Sequence, residues 1–425
     1  TTGLSWETAF SSIINAIEKM GDDMGEIWIA DGVYKEGETI KNPRRIHLIG
    51  GFKGFENDVS QNDVFNNKAI IDGENSYGCI RNSGVIDGFF ITKGNTGGSG
   101  GGILNIEGTI INCMVYSNSA NYGGGMYNDG GVLSNCALYS NSAPGEDAYG
   151  GGVYNWGGTV TNCRVYSNSA DYGGGMYNNW GTLNNCAVYS NSAPGEDTCG
   201  GGVYNWGGEV TNCTVCSNSA DYGGGIDNDQ GTVTNCTVYS NSAIHDGGGA
   251  YNWWGVITNC TVYSNSADNG GGVYIYYATV ANCIVCNNSA SDIYKYGSSS
   301  DVSYSCFSES DGENGNINKD PFFMNASGKI AAWDFHLQDE SPCIDAGNPA
   351  EEFNDGCLPP GKNTARNDMG AYGGPENCGW NTSKPLPTKE EFLNYLLGKT
   401  SLLNGDLNGD GIVDVADLVT LIVGK

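Results

Sequence analysis

Positive charge is scarce in this chain. Lysine and arginine together number 19 of 425 residues, against 48 aspartates and glutamates, so the net charge is −29. Because a nucleic-acid surface needs many basic side chains to neutralise phosphates, nucleic-acid binding is excluded. The same imbalance disfavours anionic membranes and acidic polysaccharides that no cation bridges, and it makes divalent cations the natural partners.

The chain also lacks long apolar runs, and charged residues make up only 16% of it. No apolar stretch reaches the length that crosses a bilayer, so membrane insertion is not expected. Few charges together with 67 glycines fit stacked strands joined by tight turns better than strands alternating with charged helices. The chain starts at Thr1 without a signal peptide, which is compatible with a processed, secreted protein outside the cell or on its surface.

One phrase repeated between Gly101 and Ala290 organises the sequence. Eight Asn-Cys pairs recur at spacings of 23 to 27 residues. A fixed period in this range is typical of a solenoid, and short β-rich units with glycine turns favour a β-helix over helical repeats. The cysteines of the pairs are Cys113, Cys136, Cys163, Cys186, Cys213, Cys236, Cys260 and Cys283.

Each regular coil contains three short strand candidates, as at residues 152–154, 159–161 and 163–166. We therefore predict an all-β, right-handed, single-stranded parallel β-helix with three sheets around a narrow core. Alternate side chains of a strand face opposite sides. In this coil the expected core residues are Val153, Val160, Cys163 and Val165, and the expected solvent-facing residues are Tyr154, Thr161, Arg164 and Tyr166.

The regions outside the repeat are interpreted as ends and attachments. Ile13, Ile14 and Ile17 have helical spacing and predict an N-terminal capping helix, with Ser5 or Thr8 as its N-cap. A solenoid must cover its open end, which such a helix does. The predicted domains are an N-terminal cap at 1–25, the β-helix at 26–300, final coils and a C-terminal cap at 301–378, a linker at 379–388, and a small helical calcium-binding module at 389–425.

Within the repeat, residues 121–170 and 171–220 are near copies, each 50 residues long and each forming two coils. Each copy carries an inserted Pro-Gly-Glu-Asp, at 144–147 and 194–197, which places two acidic loops on the same side. We interpret these loops as calcium sites of low affinity rather than as acid–base groups.

The most specific motif lies in the last module. Residues 406–417 place side-chain oxygens at loop positions 1, 3, 5, 9 and 12, a glycine at position 6 and a backbone carbonyl at position 7. This spacing wraps six to eight hard oxygens around one Ca²⁺ ion. The predicted calcium ligands are Asp406, Asn408, Asp410, Ile412, Asp414 and Asp417.

Asp417 stands where a standard EF-hand has glutamate, and in this respect the loop resembles the calcium loops of dockerin modules. The resemblance implies a docking module whose partner is a cohesin-like or other surface protein, or a further copy of this chain. A complete dockerin has two such units, whereas this module has one full loop.

The Asn-Cys column admits a metal or redox array, but small apolar core residues are the favoured interpretation. Neighbouring coils lie about 4.8 Å apart, yet parallel in-register side chains do not readily reach disulfide geometry. Off the column, Cys357 and Cys378 are candidates for a pair. We also predict two ladders of side-chain amides. One contains Asn112, Asn135, Asn162, Asn185, Asn212, Asn235, Asn259 and Asn282, and the other runs from Asn118 to Asn288 at the Ser-Asn-Ser corner.

Tyrosines and tryptophans recur in outward columns. Stacked rings stabilise a sheet by about 0.2–1 kcal/mol for each contact, which accounts for them structurally. Alternatively, an exposed aromatic stripe is a contact surface for sugar rings or for a neighbouring copy. The candidate binding residues are Tyr127, Tyr154, Tyr177, Tyr204, Tyr251, Tyr274, Trp156 and Trp206.

No catalytic residue is assigned. A lyase commonly uses a basic residue, and Arg164 is the only lysine or arginine between residues 94 and 294. A hydrolase needs two carboxylates about 5–10 Å apart over one bond, and Asp227 with Asp229 is the best local pair. None of these forms a recognised signature, so catalysis is disfavoured. The other candidate groups are His245, one coil away, and the loop residues Glu146, Asp147, Glu196 and Asp197.

The Gly-Gly-Gly-Val-Tyr-Asn and Val-Tyr-Ser-Asn phrases resemble the repeats of polymorphic outer-membrane-protein-type β-helices. The opening Ser-Trp-Glu-Thr-Ala-Phe and the later Ser-Pro-Cys-Ile-Asp-Ala-Gly are similar to bacterial secreted right-handed β-helix proteins. The resemblance implies a surface or adhesive role. Our first hypothesis is a secreted structural or adhesive rod that docks or self-assembles with calcium, including into filaments. The alternative is a polysaccharide lyase or glycoside hydrolase tethered by the module.

Overall fold

Short strands stack in register into three long parallel sheets in the computed structural model, which describes residues 3–328, 333–357 and 364–379. The sheets have 12, 11 and 11 strands, and the strand pairs within them are parallel, as in Val153 with Met176 and Val165 with Val188. The chain passes through the sheets in turn, so each coil adds one strand to each. The predicted all-β parallel β-helix with three sheets is confirmed.

The strands of a coil follow one another in the order sheet 2, sheet 1, sheet 3. Sheet 1 contains Gly25–Ala30, Ile46–Phe52, Val85–Asp87, Thr109–Ile111, Val132–Ser134, Thr159–Thr161, Thr182–Asn184, Glu209–Thr211, Thr232–Thr234, Val256–Thr258, Thr279–Ala281 and Asp301–Ser303. Sheet 2 contains Ile40–Asn42, Ile80–Asn82, Ile103–Ile106, Met126–Asp129, Val153–Trp156, Met176–Asn179, Val203–Trp206, Ile226–Asp229, Ala250–Trp253, Val273–Tyr276 and Ile293–Tyr296. Sheet 3 contains Gly32–Tyr34, Ala69–Asp72, Phe89–Thr92, Met114–Tyr116, Ala137–Tyr139, Arg164–Tyr166, Ala187–Tyr189, Thr214–Cys216, Thr237–Tyr239, Thr261–Tyr263 and Ile284–Cys286.

Smaller elements complete the described chain. Two parallel pairs join Asn95–Ser99 to Ser119–Tyr122 and Ser219–Tyr222 to Ser242–Asp246, and one antiparallel pair joins Phe323–Asn325 to Asp334–Leu337. The helical elements are the α-helix Ile13–Met20 and the 3₁₀ turns Trp6–Thr8, Val59–Gln61, Glu313–Gly315, Glu351–Phe353 and Asn377–Gly379.

The core is a continuous column of apolar side chains along the axis. Val153, Val160, Cys163 and Val165 are all buried, as expected from strand alternation. Tyr154 was expected to face solvent, and this expectation is wrong: its ring is only 8% exposed. The reason is that the rings of Tyr127 and Tyr177, in the neighbouring coils, stack on it.

The N-terminal helix begins later than its predicted caps. Its N-cap is Ser12, whose hydroxyl oxygen accepts a hydrogen bond from the backbone N–H of Asn15. Glu36 also accepts from the backbone N–H of Ile13 at 2.8 Å, which favours a carboxylate at this helix start. Ser5 and Thr8 belong instead to the short 3₁₀ turn. The apolar face of the helix packs on the main core, with Ile13 fully within it.

The eight cysteines of the Asn-Cys pairs lie over one another as buried free thiols. The backbone N–H of one cysteine contacts the sulfur of the next, as between Cys113 and Cys136 at 3.3 Å and between Cys260 and Cys283 at 3.4 Å. The core interpretation of this column is therefore confirmed.

The asparagine ladder at the Ser-Asn-Ser corner is confirmed. Each side-chain Nδ2 donates to Oδ1 of the asparagine one coil further on, and all seven of these bonds measure 3.0 Å. The members are Asn118, Asn141, Asn168, Asn191, Asn218, Asn241, Asn265 and Asn288.

The other predicted ladder, from Asn112 to Asn282, is wrong as a continuous ladder. All eight of its asparagines have φ between 47° and 56°, a left-handed conformation that asparagine tolerates better than most residues. Only locally do neighbours bond, as when Asn185 donates to Asn162 at 2.6 Å. Elsewhere the amides turn to other partners: Asn112 donates to Asp87, and Asn259 donates to Asn367 of the C-terminal region.

A third column of asparagines, which the sequence reasoning missed, forms the longest ladder. Its side chains bond Nδ2 to Oδ1 at 2.7–2.8 Å from coil to coil, and most also donate to a glycine carbonyl, as Asn178 does to Gly181. A Cβ at Gly181 would overlap the amide of Asn155, so this turn needs glycine. The members are Asn42, Asn82, Asn105, Asn128, Asn155, Asn178, Asn205, Asn228 and Asn252, all buried.

The C-terminal segment, which we define as the described residues 333–357 and 364–379, lies along the side of the later coils. Its backbone accepts from Asn235, through the carbonyls of Ala371 and Gly373, and Gly370 N–H donates to the carbonyl of Asn282. The candidate pair Cys357 and Cys378 is a disulfide. No helix of the described residues is both long enough and apolar enough to cross a membrane.

Candidate functional site: an aromatic edge of the β-helix

The predicted calcium loop, residues 406–417, and nearly all of the predicted linker lie outside the described residues. Within the described ranges, no group of three or more His, Cys, Asp or Glu side chains is arranged to hold a metal ion. The candidate binding tyrosines and tryptophans lie on the outer face of sheet 2.

The tyrosines of that face form a stack that is largely covered. Tyr127, Tyr154, Tyr177 and Tyr204 stack with ring centroids 4.8–5.0 Å apart. Tyr149 lies in the segment that connects a sheet 3 strand to the next sheet 2 strand, and its ring packs edge-on against Tyr177 with ring centroids 4.9 Å apart. Burial raises the pKa of Tyr127 to about 12. The rings of this column therefore stabilise the sheet, as the structural interpretation proposed, and offer little free surface.

The exposed aromatic surface lies at the end of the same strands. We define the indole edge as the aromatic side chains that end sheet 2 strands or occupy the following corner. Trp180 is 64% exposed and Trp254 is 55% exposed, so both indoles stand in solvent. Neighbouring rings pack along the edge, with Trp254 stacked on Tyr277 at 4.7 Å and Trp253 against Tyr276 at 4.4 Å. Its members are Trp156, Trp180, Trp206, Trp253, Trp254, Tyr276, Tyr277 and Tyr296.

Three members of the indole edge occupy strained backbone positions. Trp180, Trp254 and Tyr277 have φ of 53°, 57° and 49°, in the left-handed region that bulky residues rarely adopt. Four other coils have glycine at the equivalent corner, Gly130, Gly157, Gly207 and Gly297, where the same conformation carries no penalty. The backbone conformation alone therefore favours glycine at these corners, and the large aromatic residues occupy them despite the strain.

Acidic side chains accompany the edge. Asp129 is exposed and is paired in register with Trp156 of the next coil. Asp229 is partly exposed at the equivalent position two strands beyond Asn179. From Trp156 to Tyr277 the only lysine or arginine is Arg164, which lies in sheet 3, whereas Lys295 precedes Tyr296 at the last strand of the edge. The local potential is therefore negative.

The best predicted carboxylate pair does not form an open site. Asp227 replaces a tyrosine in the stacked column, between Tyr204 and Tyr251, and is only 4% exposed. Desolvation raises its pKa to about 8, and a hydrogen bond with the thiol of Cys199 opposes the shift. Asp229 lies two residues further along the strand and is half-buried. Asp227 is thus a protonated, covered acid at neutral pH.

The remaining candidate groups are spread over the surface. His245 packs on Tyr222 with ring centroids 5.2 Å apart. Asp147 and Asp197 lie exposed in the inserted loops, both with positive φ, and the backbone N–H of Asp197 donates to Asp221. Asp197 and Asp227 both lie near the thiol of Cys199, but Asp227 is only 4% exposed, so the two do not form an open pair of carboxylates.

Comparisons with known proteins concern the fold. No protein-family model matches the sequence, and no curated protein matches it significantly. Among solved structures, the crystal structure of pectate lyase Pel9A has 13% sequence identity and a TM-score of 0.41, covering 82% of this chain and 86% of that one. The crystal structure of Dettilon tailspike protein (gp208) has 12% identity and a TM-score of 0.33, covering 70% of this chain and 64% of that one. At these values the similarity is limited to the β-helix fold.

Proposed function

We propose that this protein is an adhesive rod that binds a neutral polysaccharide along the indole edge. The observation that carries the proposal is the exposure of Trp180 and Trp254 at left-handed corners where other coils have glycine. An exposed aromatic surface is the mark of a contact site, and the backbone conformation of these two corners is one that glycine adopts without strain.

The chemistry of the edge favours sugar rings. An indole presents a flat apolar face, which matches the C–H face of a pyranose ring, while its N–H hydrogen-bonds at the periphery. The net charge of −29 and the exposed Asp129 repel polyanions, so a neutral glycan is the fitting ligand.

The spacing of the edge suits a chain rather than a single sugar. Neighbouring coils lie about 4.8 Å apart, so Trp156 and Trp206, two coils apart, lie about 10 Å apart along the axis. Trp180 belongs to the coil between them. A polysaccharide laid parallel to the axis meets one ring after another, and several individually weak contacts then add to a useful affinity.

The proposal is tested by replacing Trp180 and Trp254 with glycine. Each substitution places glycine in a left-handed corner, and the relief of backbone strain offsets the lost ring contacts with Gly207 and Tyr277, so the unfolding temperature should change little. Retention on insoluble neutral polysaccharide, measured by depletion from solution, should weaken by about fivefold for each ring lost, because an aromatic contact contributes about 1 kcal/mol. Phe55→Ala removes an exposed aromatic ring elsewhere and should bind like the parent protein.

Unchanged binding by the double variant would refute the glycan-binding role of the edge. Sedimentation of the same proteins without glycan tests whether the edge is instead a contact between copies of the chain. If the parent protein self-associates and the variant does not, the edge is such a contact. Soluble sugar product released from the polysaccharide would instead favour the lyase or hydrolase alternative.

The second part of the proposal is attachment of the rod, outside the cell or on its surface, through the C-terminal module. The oxygen pattern of residues 406–417 supports it. We expect Asp406→Ala together with Asp410→Ala to abolish the heat of Ca²⁺ binding in calorimetry and any calcium-dependent docking. Polysaccharide binding should persist in this variant and in chelator, because the indole edge contains no calcium ligand of the loop. A full calcium response in the variant would contradict the assignment.

A further inference from the structure

The C-terminal segment contacts the last coils through a buried cluster that contains two cysteines. Cys306 follows the final strand of sheet 1, and its backbone is fixed on both sides: its N–H donates to the carbonyl of Cys283 and its carbonyl accepts from Val285, both at 2.8 Å. Cys343 belongs to the C-terminal segment and is held by Ser341, whose hydroxyl accepts from the Cys343 N–H. Both thiols are no more than 1% exposed.

The two thiols meet inside this cluster. They lie together with Ile284, Phe335 and Met369, and the side chain of Cys343 hydrogen-bonds that of Cys306. The Cys306 thiol also donates to the carbonyl of Lys319 at 3.1 Å. The pair comes from two parts of the chain that approach from different directions. Unlike the in-register cysteines of the core column, such a pair is not held parallel by a shared sheet.

We propose that Cys306 and Cys343 are a disulfide-forming pair that fastens the C-terminal segment to the last coil. The reaction is exchange with a small disulfide such as oxidised glutathione. One of the two cysteine thiolates attacks that disulfide and releases one glutathione thiolate, and the other cysteine thiolate then attacks the mixed disulfide and releases the second. Two protein thiols are oxidised, one glutathione disulfide is reduced, and two protons leave with the two glutathione thiols.

The hydrogen bond between the two thiols lowers the pKa of Cys306 and raises that of Cys343 while the segment is closed. It does not set which sulfur reacts first. Because both sulfurs are buried, exchange takes place before the segment closes over them or when it opens locally.

The bond changes how a pulling force on the C-terminus is transmitted to the β-helix. The C-terminal segment contains the Cys357–Cys378 disulfide and is followed by residues 380–425, which include the proposed docking module. A link between Cys306 and Cys343 passes tension from that module into the β-helix instead of peeling the segment away. This inference does not depend on glycan binding and stands if the indole edge proves inactive.

Peptide mapping tests the pair in the full chain. The protein is treated with oxidised glutathione or with dithiothreitol, alkylated under denaturing conditions and digested with trypsin and Glu-C. Cleavage after Lys295, Lys319 and Glu352 places Cys286, Cys306, Cys343 and Cys357 on four different peptides. We expect a Cys306–Cys343 linked peptide after oxidation and two alkylated cysteines after reduction. Alkylation of both in the oxidised protein, or a link from either to Cys286, would overturn the proposal.

A second readout measures the consequence of the bond. Oxidation should lengthen the survival of the C-terminal segment under limited proteolysis by about tenfold, since it removes the opened state that is cut. Cys343→Ser should lose this response, whereas Cys283→Ser, in the core column, should keep it. Equal survival of the oxidised and reduced parent protein would show that no fastening occurs.

Discussion

Replacing Asn178 with alanine is expected to lower the free energy of unfolding by about 3–5 kcal/mol, one of the largest effects of any single substitution in the rod. Its Nδ2 donates to Gly181 O at 3.0 Å and to Asn205 Oδ1 at 2.8 Å, and its Oδ1 accepts from Asn155 at 2.8 Å. All of these groups are buried. Alanine leaves a void, removes the hydrogen bond to Asn205 Oδ1 and removes one of two hydrogen bonds at Gly181 O and at Asn155 Nδ2, where no solvent can replace them.

The matched control is Asn185→Gly on the same coil. Asn185 is exposed, has φ of 55° and belongs to the corner column that forms no continuous ladder. Glycine accepts that conformation without strain, so the change in stability should stay within about 1 kcal/mol. Urea unfolding followed by circular dichroism measures both variants. Similar midpoints for the two would show that the buried ladder contributes no more than the exposed corner.

Replacing Asp227 with asparagine is expected to raise the free energy of unfolding by about 3–5 kcal/mol at pH 8 and to change it little at pH 4. Asp227 is buried between Tyr204 and Tyr251, and its folded-state pKa is about 8 against an ordinary value of 3.8. The folded protein must therefore retain a proton that the unfolded chain releases. Between about pH 4 and pH 8, stability falls as pH rises, and asparagine removes this dependence.

Other acids titrate over the same range, so the comparison needs a neighbour as its control. Asp229→Asn changes a half-buried carboxylate on the same strand, which also has a raised pKa because of burial. Because solvent reaches it, its effect should be less than about 1 kcal/mol at any pH. Melting temperatures from pH 4 to pH 9 decide the matter. A parent-minus-variant difference for Asp227 that does not grow with pH would contradict a buried neutral acid.

Much of the fold could be predicted because the same residue returns at the same place in every coil. Cys163 directly precedes the strand Arg164–Tyr166 and lies two residues before Val165, so continued alternation puts both in the core. The ladder through Asn168 was predictable for a similar reason, since its Ser-Asn-Ser corner recurs with the same phase. Identical residues stacked at one height form identical contacts with the coil above and the coil below.

Repetition does not by itself tell which repeated asparagine is buried. Asn128 lies two residues after the core residue Met126, so its inward direction was encoded in the strand alternation. Asn112 directly precedes the core residue Cys113 and takes up the left-handed corner instead. A position two residues from a core residue was therefore a better guide to burial than a position directly next to one.

The exposure of the aromatic side chains could not be read from one strand alone. Tyr154 points outward, but Tyr149 from another side of the coil packs against it, and a packing partner from elsewhere leaves no mark in the strand pattern. Trp180 and Trp254 stand at corners that other coils close with glycine, and this contrast was visible in the sequence. The path of the C-terminal segment was not, because its contacts with Asn235 and Asn259 occur once and follow no period.

Because residues 121–170 and 171–220 are near copies, the length of this rod can change during evolution by the loss or gain of one copy. If residues 171–220 were deleted, Asn155 would face Asn228 and Asn168 would face Asn241, so both columns of amides would close again without a gap. One further copy would be accommodated in the same way and would lengthen the rod by about 10 Å. Unequal recombination between such copies can thus set how far the protein reaches without selecting a new fold.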